Sequence, residues 1–218
     1  MTLLETLEIA TGNNITASVI WLHGLGANGH DFVPVVEQLK LPNIRFILPH
    51  APQRPVSING GYVMPAWYDL FGLEIDSPQD ETGIRATQQS IKALITQERQ
   101  RGIAAERIIL AGFSQGGAIA LHTALRYPQR LAGVLALSTY LPLKPLLATE
   151  KSVANAGLPI FIGHGTFDTV ISPEVCQISA NLLSKHGYAV EWHQYAMAHS
   201  VCMEEVDDIR DFLIRVLA

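Results

Sequence analysis

The alternation of strand-like and helix-like segments constrains the fold of this chain more than any other feature. Strand-like runs, mostly β-branched and apolar, occupy positions 17–22, 44–48, 107–111, 131–137, 159–162 and 188–195. Segments with helical spacing or helix-start residues occupy positions 31–39, 80–101, 117–125, 173–186 and 203–217. This alternation predicts an α/β fold in which helices cover both faces of a mostly parallel sheet.

The organisation of the chain predicts one domain. Residues 50–80 form a long connection that is rich in proline and glycine, and residue 31 is expected near the N-cap of the first helix. The sequence contains no internal repeat, low-complexity tract or linker, and its 218 residues suit a single substantial core. We therefore expect a single α/β domain over residues 1–218.

Composition excludes several classes of protein. Hydrophobic residues make up 48% of the chain and charged residues 16%, which is typical of a globular protein and not of a disordered one. The net charge of −5 at pH 7 is opposite in sign to that of typical nucleic-acid-binding proteins, which argues against this class. No long run of lysine and arginine is available for a membrane surface. We expect neither a nucleic-acid partner nor an integral membrane segment.

Three observations favour a cytoplasmic location. The first residues lack the basic and apolar regions of a secretory signal. The most apolar stretch, residues 131–147, is interrupted by Pro142, Lys144 and Pro145, so it cannot span a bilayer. Cys176 and Cys202 are too few for a disulfide framework and suit a reducing compartment.

Residues 112–116, Gly-Phe-Ser-Gln-Gly, match the G-x-S-x-G nucleophile elbow. The bare pattern is weak because glycine and serine are common, but here it lies between a strand-like and a helix-like segment, as the motif requires. Gly112 and Gly116 are expected where the backbone passes too close to its neighbours for a Cβ. Ser114 is therefore the candidate nucleophile. The alternative is a glycine-rich turn with a bystander serine.

A serine nucleophile needs a general base, and the base needs an orienting carboxylate. In hydrolases with this elbow, the acid and then the histidine follow the serine along the chain. Asp168 is the acid in the loop after the strand at 159–162, and His199 lies in the loop after the strand at 188–195. Either residue alone could be an ordinary turn aspartate or a surface histidine. Their order and positions together predict a Ser114–Asp168–His199 triad.

Acyl transfer also needs hydrogen-bond donors for the oxyanion. The backbone N–H of Gln115, which follows the nucleophile at a helix start, is one candidate. The other is the N–H of Leu25, in the His-Gly-Leu-Gly segment 23–26 after the first predicted strand. An ordinary glycine turn is the alternative interpretation of that segment.

Other chemistries find little support in the sequence. Glycines 24, 26 and 29 have the G-x-G-x-x-G spacing of a dinucleotide loop, but the acid expected near Leu48 is absent. No His-Glu-x-x-His motif or Cys/His cluster occurs. We expect no metal and no cofactor.

Five segments in order carry a resemblance to a known family: Trp-Leu-His-Gly-Leu-Gly at 21–26, Pro-Ala-Trp-Tyr-Asp at 65–69, Gly-Phe-Ser-Gln-Gly-Gly at 112–117, Gly-Val-Leu-Ala-Leu-Ser at 133–138 and Met-Ala-His-Ser at 197–200. In these segments the chain resembles the small carboxylesterases and lysophospholipases that include the acyl-protein thioesterases. The resemblance implies an α/β-hydrolase fold without a large cap domain, the same triad, and Leu25 and Gln115 as oxyanion donors. Thr166 and Thr169 stand where the family usually has an acid and often has a proline.

The connection at 67–75 carries several large apolar residues. One interpretation is a flap over an acyl-binding groove, with Leu73 and Ile75 as groove residues; the other is a loop anchored to the core. Tyr140 and Val170 follow functional loops and are further candidates for substrate contact. Without a large cap, a shallow and open site is expected, suited to small or medium acyl esters and thioesters and to lipidated chains.

These observations leave three functional hypotheses. The first is a serine carboxylesterase that works through an acyl-enzyme intermediate. The second is an acyl-protein thioesterase or lysophospholipase that acts on long-chain S-acyl or lysophospholipid substrates. The third is a non-catalytic binding module. The expected partners are small-molecule or lipid esters and thioesters, S-acylated proteins and, in a homodimer, a second copy of the chain.

Overall fold

The computed structural model describes residues 3–73 and 77–218. Its strands are β1 (Thr6–Ala10), β2 (Ala17–Leu22), β3 (Ile44–Pro49), β4 (Gln53–Val56), β5 (Tyr62–Pro65), β6 (Ile108–Phe113), β7 (Gly133–Leu137), β8 (Pro159–Gly165) and β9 (Ala189–Tyr195). Its α-helices are α1 (Val33–Leu39), α2 (Glu81–Gln100), α3 (Gln115–Arg126), α4 (Leu147–Glu150), α5 (Pro173–Lys185) and α6 (Met203–Val216). All six predicted strands and all five predicted helices are found, with small shifts at their ends.

Seven strands form one twisted sheet in the order β1-β3-β2-β6-β7-β8-β9. Only β1 is antiparallel to its neighbour, and the remaining pairs are parallel. The carboxyl ends of β2, β6, β8 and β9 therefore lie along the same edge of the sheet, where α/β proteins build their binding sites. The predicted α/β-hydrolase architecture is confirmed.

Helices cover both faces of the sheet, and β2 illustrates why. Ile20 and Leu22 join the apolar cluster under α2, α3 and α5, whereas Val19 and Trp21 join the cluster under α1 and α6. All four side chains are completely buried. A strand buried on both sides is mostly apolar, and this accounts for the continuous apolar run over residues 19–22.

Four local features differ from the sequence-based prediction, and one of them is the short helix α4, which was not predicted. Strand β1 was not predicted, and the connection at 50–80 contains the β4–β5 hairpin, whose exposed residues and prolines carry no alternating apolar pattern. Asp31 lies directly before Phe32, the N-cap residue of α1, but no side chain caps this helix. A 3₁₀ turn at Gly29–Phe32 precedes α1, and Asn28 caps that turn by accepting from the N–H of His30.

No helix within the described ranges combines the length and the apolar character that crossing a bilayer requires.

Candidate active site

Ser114 occupies the sharp turn between β6 and α3. Its backbone has φ 54° and ψ −121°, a conformation that costs a non-glycine residue about 1–3 kcal/mol and must be held by its surroundings. A Cβ on Gly112 would overlap the backbone of Gly116, and a Cβ on Gly116 would overlap the carbonyl oxygen of Leu22. The glycines thus allow helix α3 to pack directly against the strands, as the sequence predicts.

Asp168 and His199 lie in the loops after β8 and β9 and are in direct contact. The Nδ1 atom of His199 is 2.7 Å from Oδ2 of Asp168, whose side chain is fully buried. The other carboxylate oxygen, Oδ1, accepts from the backbone N–H groups of Val170 (2.8 Å) and Ile171 (2.9 Å). With Nδ1 donating to Asp168, Nε2 is the ring nitrogen left to accept a proton.

The loops that carry these two residues are joined by backbone contacts. The N–H of Thr166 donates to the carbonyl of Tyr195 at 2.8 Å, and the N–H of Phe167 donates to that of Met197 at 3.0 Å. At Gly165, the absence of a side chain lets the carbonyl oxygens of Met197 and Ala198 pack against β8. The distance between Asp168 and His199 is therefore set by the backbone and not only by the two side chains.

Ser114 and His199 line the same cavity. The imidazole of His199 packs against Phe113, the residue before the serine, with ring centroids 4.6 Å apart. No hydrogen bond joins Ser114 Oγ to His199 among the contacts of the described residues. In enzymes without substrate such bonds are often long and tighten only in the reacting complex.

A second histidine supports Asp168 from behind. His164 is completely buried, and its Nε2 donates to the carbonyl of Ile171 at 2.9 Å and lies 3.3 Å from Asp168 Oδ2. Burial lowers the pKa of His164 below its usual value, which favours the neutral ring. His164 is not among the residues that line the cavity.

The two candidate oxyanion donors, Leu25 and Gln115, both line the cavity. Within the described residues the N–H of Leu25 donates to no backbone carbonyl, and the N–H of Gln115 is the first of α3 and has no partner inside the helix. Gly24 brings the loop within van der Waals distance of Ser114, since a Cβ on Gly24 would be 3.6 Å from that of the serine. Both candidate donors are therefore available next to Ser114.

Neutral His23 holds the loop that carries Leu25. Its Nε2 accepts from the N–H of Ala51 at 3.1 Å, so Nδ1 carries the proton and donates to the carbonyl of Gly24 at 2.7 Å. Burial lowers the pKa of this completely buried histidine. The indole of Trp67 adds a hydrogen bond of 2.8 Å to the carbonyl of His23.

Gln115 has a second role that sequence reasoning missed. Its side-chain oxygen accepts from the N–H of Trp67, and its side-chain nitrogen donates to the carbonyl of Tyr68, both at 2.8 Å. The side chain of Gln115 thus binds the 67–68 segment to the turn that carries Ser114. No sequence signal identifies this contact, because the partners are backbone atoms almost fifty residues away.

The cavity beside Ser114 has a volume of about 590 Å³ and an apolar wall. Of the predicted substrate-contact residues, Leu73, Tyr140 and Val170 line it, whereas Ile75 lies outside the described residues. The hydroxyl groups of Tyr68 and Tyr140 form a hydrogen bond of 2.8 Å in this wall. Most of the further lining residues are apolar: Phe32, Val35, Ile58, Leu70, Phe113, Ile171 and Val201. The polar residues Asp31, Asn59 and Ser200 also line the cavity. Leu70 also packs against the core, so the connection both anchors itself and forms part of the wall.

The chain is similar to known proteins along nearly its whole length. Residues 6–217 match the phospholipase/carboxylesterase family. The chain is 42% identical to acyl-protein thioesterase 1 of Neurospora crassa, over 91% of this chain and 86% of that protein. It is 40% identical to acyl-protein thioesterase 1 of Cryptococcus neoformans, over 99% of both chains.

Solved structures give the same result. The structure superposes on Zea mays acyl-protein thioesterase 2 with a TM-score of 0.89 and 31% identity, over 98% of this chain and 99% of that one. Arabidopsis thaliana SOBER1 gives the same TM-score and identity, over 93% of this chain and 100% of that one. This chain therefore belongs to the phospholipase/carboxylesterase family and is a serine hydrolase of the ester and thioester type.

Proposed function

We propose that this hydrolase is an acyl-protein thioesterase that removes long-chain acyl groups from cysteine side chains of proteins. The observation that carries the proposal is the apolar cavity of about 590 Å³ that opens beside Ser114. Pockets of this size accommodate ligands well beyond an acetyl group. The full-length similarity to proteins named acyl-protein thioesterase supports this function over the carboxylesterase hypothesis.

The reaction begins when Ser114 Oγ attacks the thioester carbonyl carbon and His199 Nε2 takes the serine proton. The negative charge on the carbonyl oxygen is stabilised by the N–H groups of Leu25 and Gln115, each worth about 3 kcal/mol in the transition state. The carbon–sulfur bond then breaks, and the cysteine sulfur leaves with the proton from His199.

Water completes the cycle. His199 removes a proton from a water molecule, which attacks the acyl-enzyme carbonyl and releases the fatty acid and Ser114. Asp168 stays ionised throughout and stabilises the imidazolium that forms twice in each cycle.

A substrate panel tests the proposal. The values of kcat/KM are compared for S-palmitoyl, S-octanoyl and S-acetyl versions of one peptide, for p-nitrophenyl acetate and for a lysophospholipid. Each buried methylene is worth about 0.8 kcal/mol, so kcat/KM should rise up to about fourfold per methylene until the cavity is full. The Ser114→Ala variant controls for background hydrolysis.

Two results would contradict the proposal. Equal or higher kcat/KM for p-nitrophenyl acetate would favour the carboxylesterase hypothesis, and a preference for the lysophospholipid would favour a lysophospholipase. A protein without turnover that also fails to react with a fluorophosphonate probe would be a binding module.

Three expectations from the sequence stay predictions. Light scattering tests the homodimer, cell fractionation tests the cytoplasmic location, and a single cooperative unfolding transition tests the single domain over residues 1–218.

A further inference from the structure

The first turn of α6 carries a glutamate that is completely buried beneath the His199 loop. Glu205 is the third residue of α6, which begins four residues after His199. Its carboxyl group lies against β8 at Gly163, where a Cβ would overlap Oε1 of Glu205. Gly163 is five residues before Asp168. The carboxyl group therefore fills the space between the strand that leads to Asp168 and the helix that follows His199.

Neither carboxyl oxygen of Glu205 has a hydrogen-bond partner within the described residues. Among the residues that the structure describes, no lysine or arginine forms an ion pair with the carboxyl group of Glu205. A buried carboxylate without a partner is strongly disfavoured, so this position tolerates a neutral carboxylic acid far better than an anion.

The titratable groups around Glu205 supply no compensating positive charge. Asp208 lies on the same helix and accepts a hydrogen bond of 2.8 Å from the hydroxyl of Tyr195 on β9. His193, also on β9, directs Nδ1 at the same Asp208 oxygen at 3.5 Å. Cys202 lies at the N-cap of α6. From β8, the uncharged residues Gly163 and Phe161 lie at this position. Burial, and to a lesser degree the charge of Asp208, raises the pKa of Glu205 to about 8.

Ionisation of Glu205 would act on the loop that carries His199. A carboxylate in this position must move toward water or admit water, and Glu205 belongs to the first turn of α6, which directly follows residues 199–202. That segment is continuous with the backbone that packs on Gly165 and bonds to Phe167. A displacement there changes the contact between His199 and Asp168.

We propose that Glu205 is a positioning residue, which must be uncharged for His199 to remain aligned with Asp168 and Ser114. The enzyme consequently loses turnover in alkaline solution while its fold is still intact. This inference rests on the triad proposed above but is independent of which acyl group the enzyme prefers.

The test is the pH dependence of kcat between pH 6 and 10 with p-nitrophenyl butyrate, corrected for spontaneous hydrolysis. Wild-type kcat should fall above pH 8, by about tenfold per pH unit once the carboxyl group is ionised. Glu205→Gln is neutral at every pH, and its kcat at pH 7 should lie within about twofold of the wild-type value. Its kcat should begin to fall at a pH at least one unit higher than the pH at which the wild-type kcat falls. Glu204→Gln is the matched control, because Glu204 is exposed on the same helical turn, and should follow the wild type.

A second variant keeps the test decisive if Glu205→Gln folds poorly. Asp208→Asn removes the neighbouring negative charge, so Glu205 should ionise more readily and the fall in kcat should begin at lower pH. Cys202→Ser should leave the profile unchanged, which separates Glu205 from the nearby thiol.

Three outcomes would overturn the inference. One is an unchanged alkaline fall in Glu205→Gln, and another is a shift to higher pH in Asp208→Asn. The third is a loss of near-ultraviolet circular dichroism at the same midpoint as kcat, which would make Glu205 a determinant of stability alone. A preference for short esters in the substrate panel would contradict the proposed thioesterase without altering any of these profiles.

Discussion

The two sides of the cavity are built in different ways. On the Asp168–His199 side, the loops after β8 and β9 are joined by backbone hydrogen bonds and by close packing at Gly165. On the opposite side, the connection at 50–73 is held largely by side chains that reach its backbone, chiefly those of Gln115 and Thr87. The first side resembles an extension of the sheet, and the second resembles an attached wall.

This difference separates chemistry from substrate binding. Backbone contacts change little when side chains vary, so the geometry of proton transfer is protected on the first side. Side-chain contacts can be altered one at a time, which allows the shape of the wall to vary without disturbing the sheet. Substitutions on the first side should therefore reduce kcat, and those in the wall should act mainly on KM and acyl-chain preference.

The largest effect is expected for Asp168→Asn. The amide would donate where the carboxylate accepts, so His199 would adopt the tautomer that cannot take the serine proton. A loss of kcat of about 10⁴-fold is expected with little change in KM. Steady-state kinetics on a short ester measures this, with the melting temperature as the control for folding. A large rise in KM with kcat preserved would contradict the assignment of Asp168.

The next effect concerns backbone packing at the elbow. Gly116→Ala places a methyl group against the carbonyl of Leu22 and should lower the free energy of unfolding by about 3 kcal/mol. Gly60→Ala, in the β4–β5 hairpin, is the matched substitution: φ is 66° but the space is open, so a loss of about 1 kcal/mol is expected. Urea denaturation of both variants measures the difference. Equal losses would show that the elbow is no tighter than the hairpin.

A smaller effect is expected where the two sides meet. Gln115→Met keeps the size of the side chain and the backbone N–H but removes both hydrogen bonds to the 67–68 segment. Two lost bonds of about 1 kcal/mol each should raise KM for a long-chain thioester by about tenfold or more. The kcat for a short ester should change far less. A loss confined to kcat would instead make the side chain part of the oxyanion site.

The smallest effect is expected in the wall itself. Tyr140→Phe removes the hydrogen bond to the hydroxyl of Tyr68 and leaves the ring in the cavity. Losing one bond of about 1 kcal/mol should change kcat/KM for long-chain substrates by about fivefold and leave short-chain substrates nearly unaffected. The ratio of the two kcat/KM values is the measurement. An equal change for both chain lengths would place Tyr140 in the chemistry and not in the wall.

Prediction from sequence succeeded where the place of a residue in the fold follows from its position relative to a regular element. Continuous apolar runs identify the buried strands in the sequence. Ser114, Asp168 and His199 each follow a predicted strand. The β4–β5 hairpin was missed because its residues are largely exposed and interrupted by prolines. Its contribution to the cavity depends on contacts with distant residues, and these leave no local pattern.

The sequence by itself determined the order of six sheet strands and five helices along the chain, the strained turn at Ser114 and the loops that hold Asp168 and His199. These follow from local periodicity and from glycine sterics, which act over a few residues. Only the tertiary structure decided that His199 bonds Asp168 at 2.7 Å, that Gln115 fastens the opposite wall and that Glu205 is buried without a partner. The physical reason is that burial and hydrogen bonding depend on which distant segments pack together, and a single sequence does not display that information.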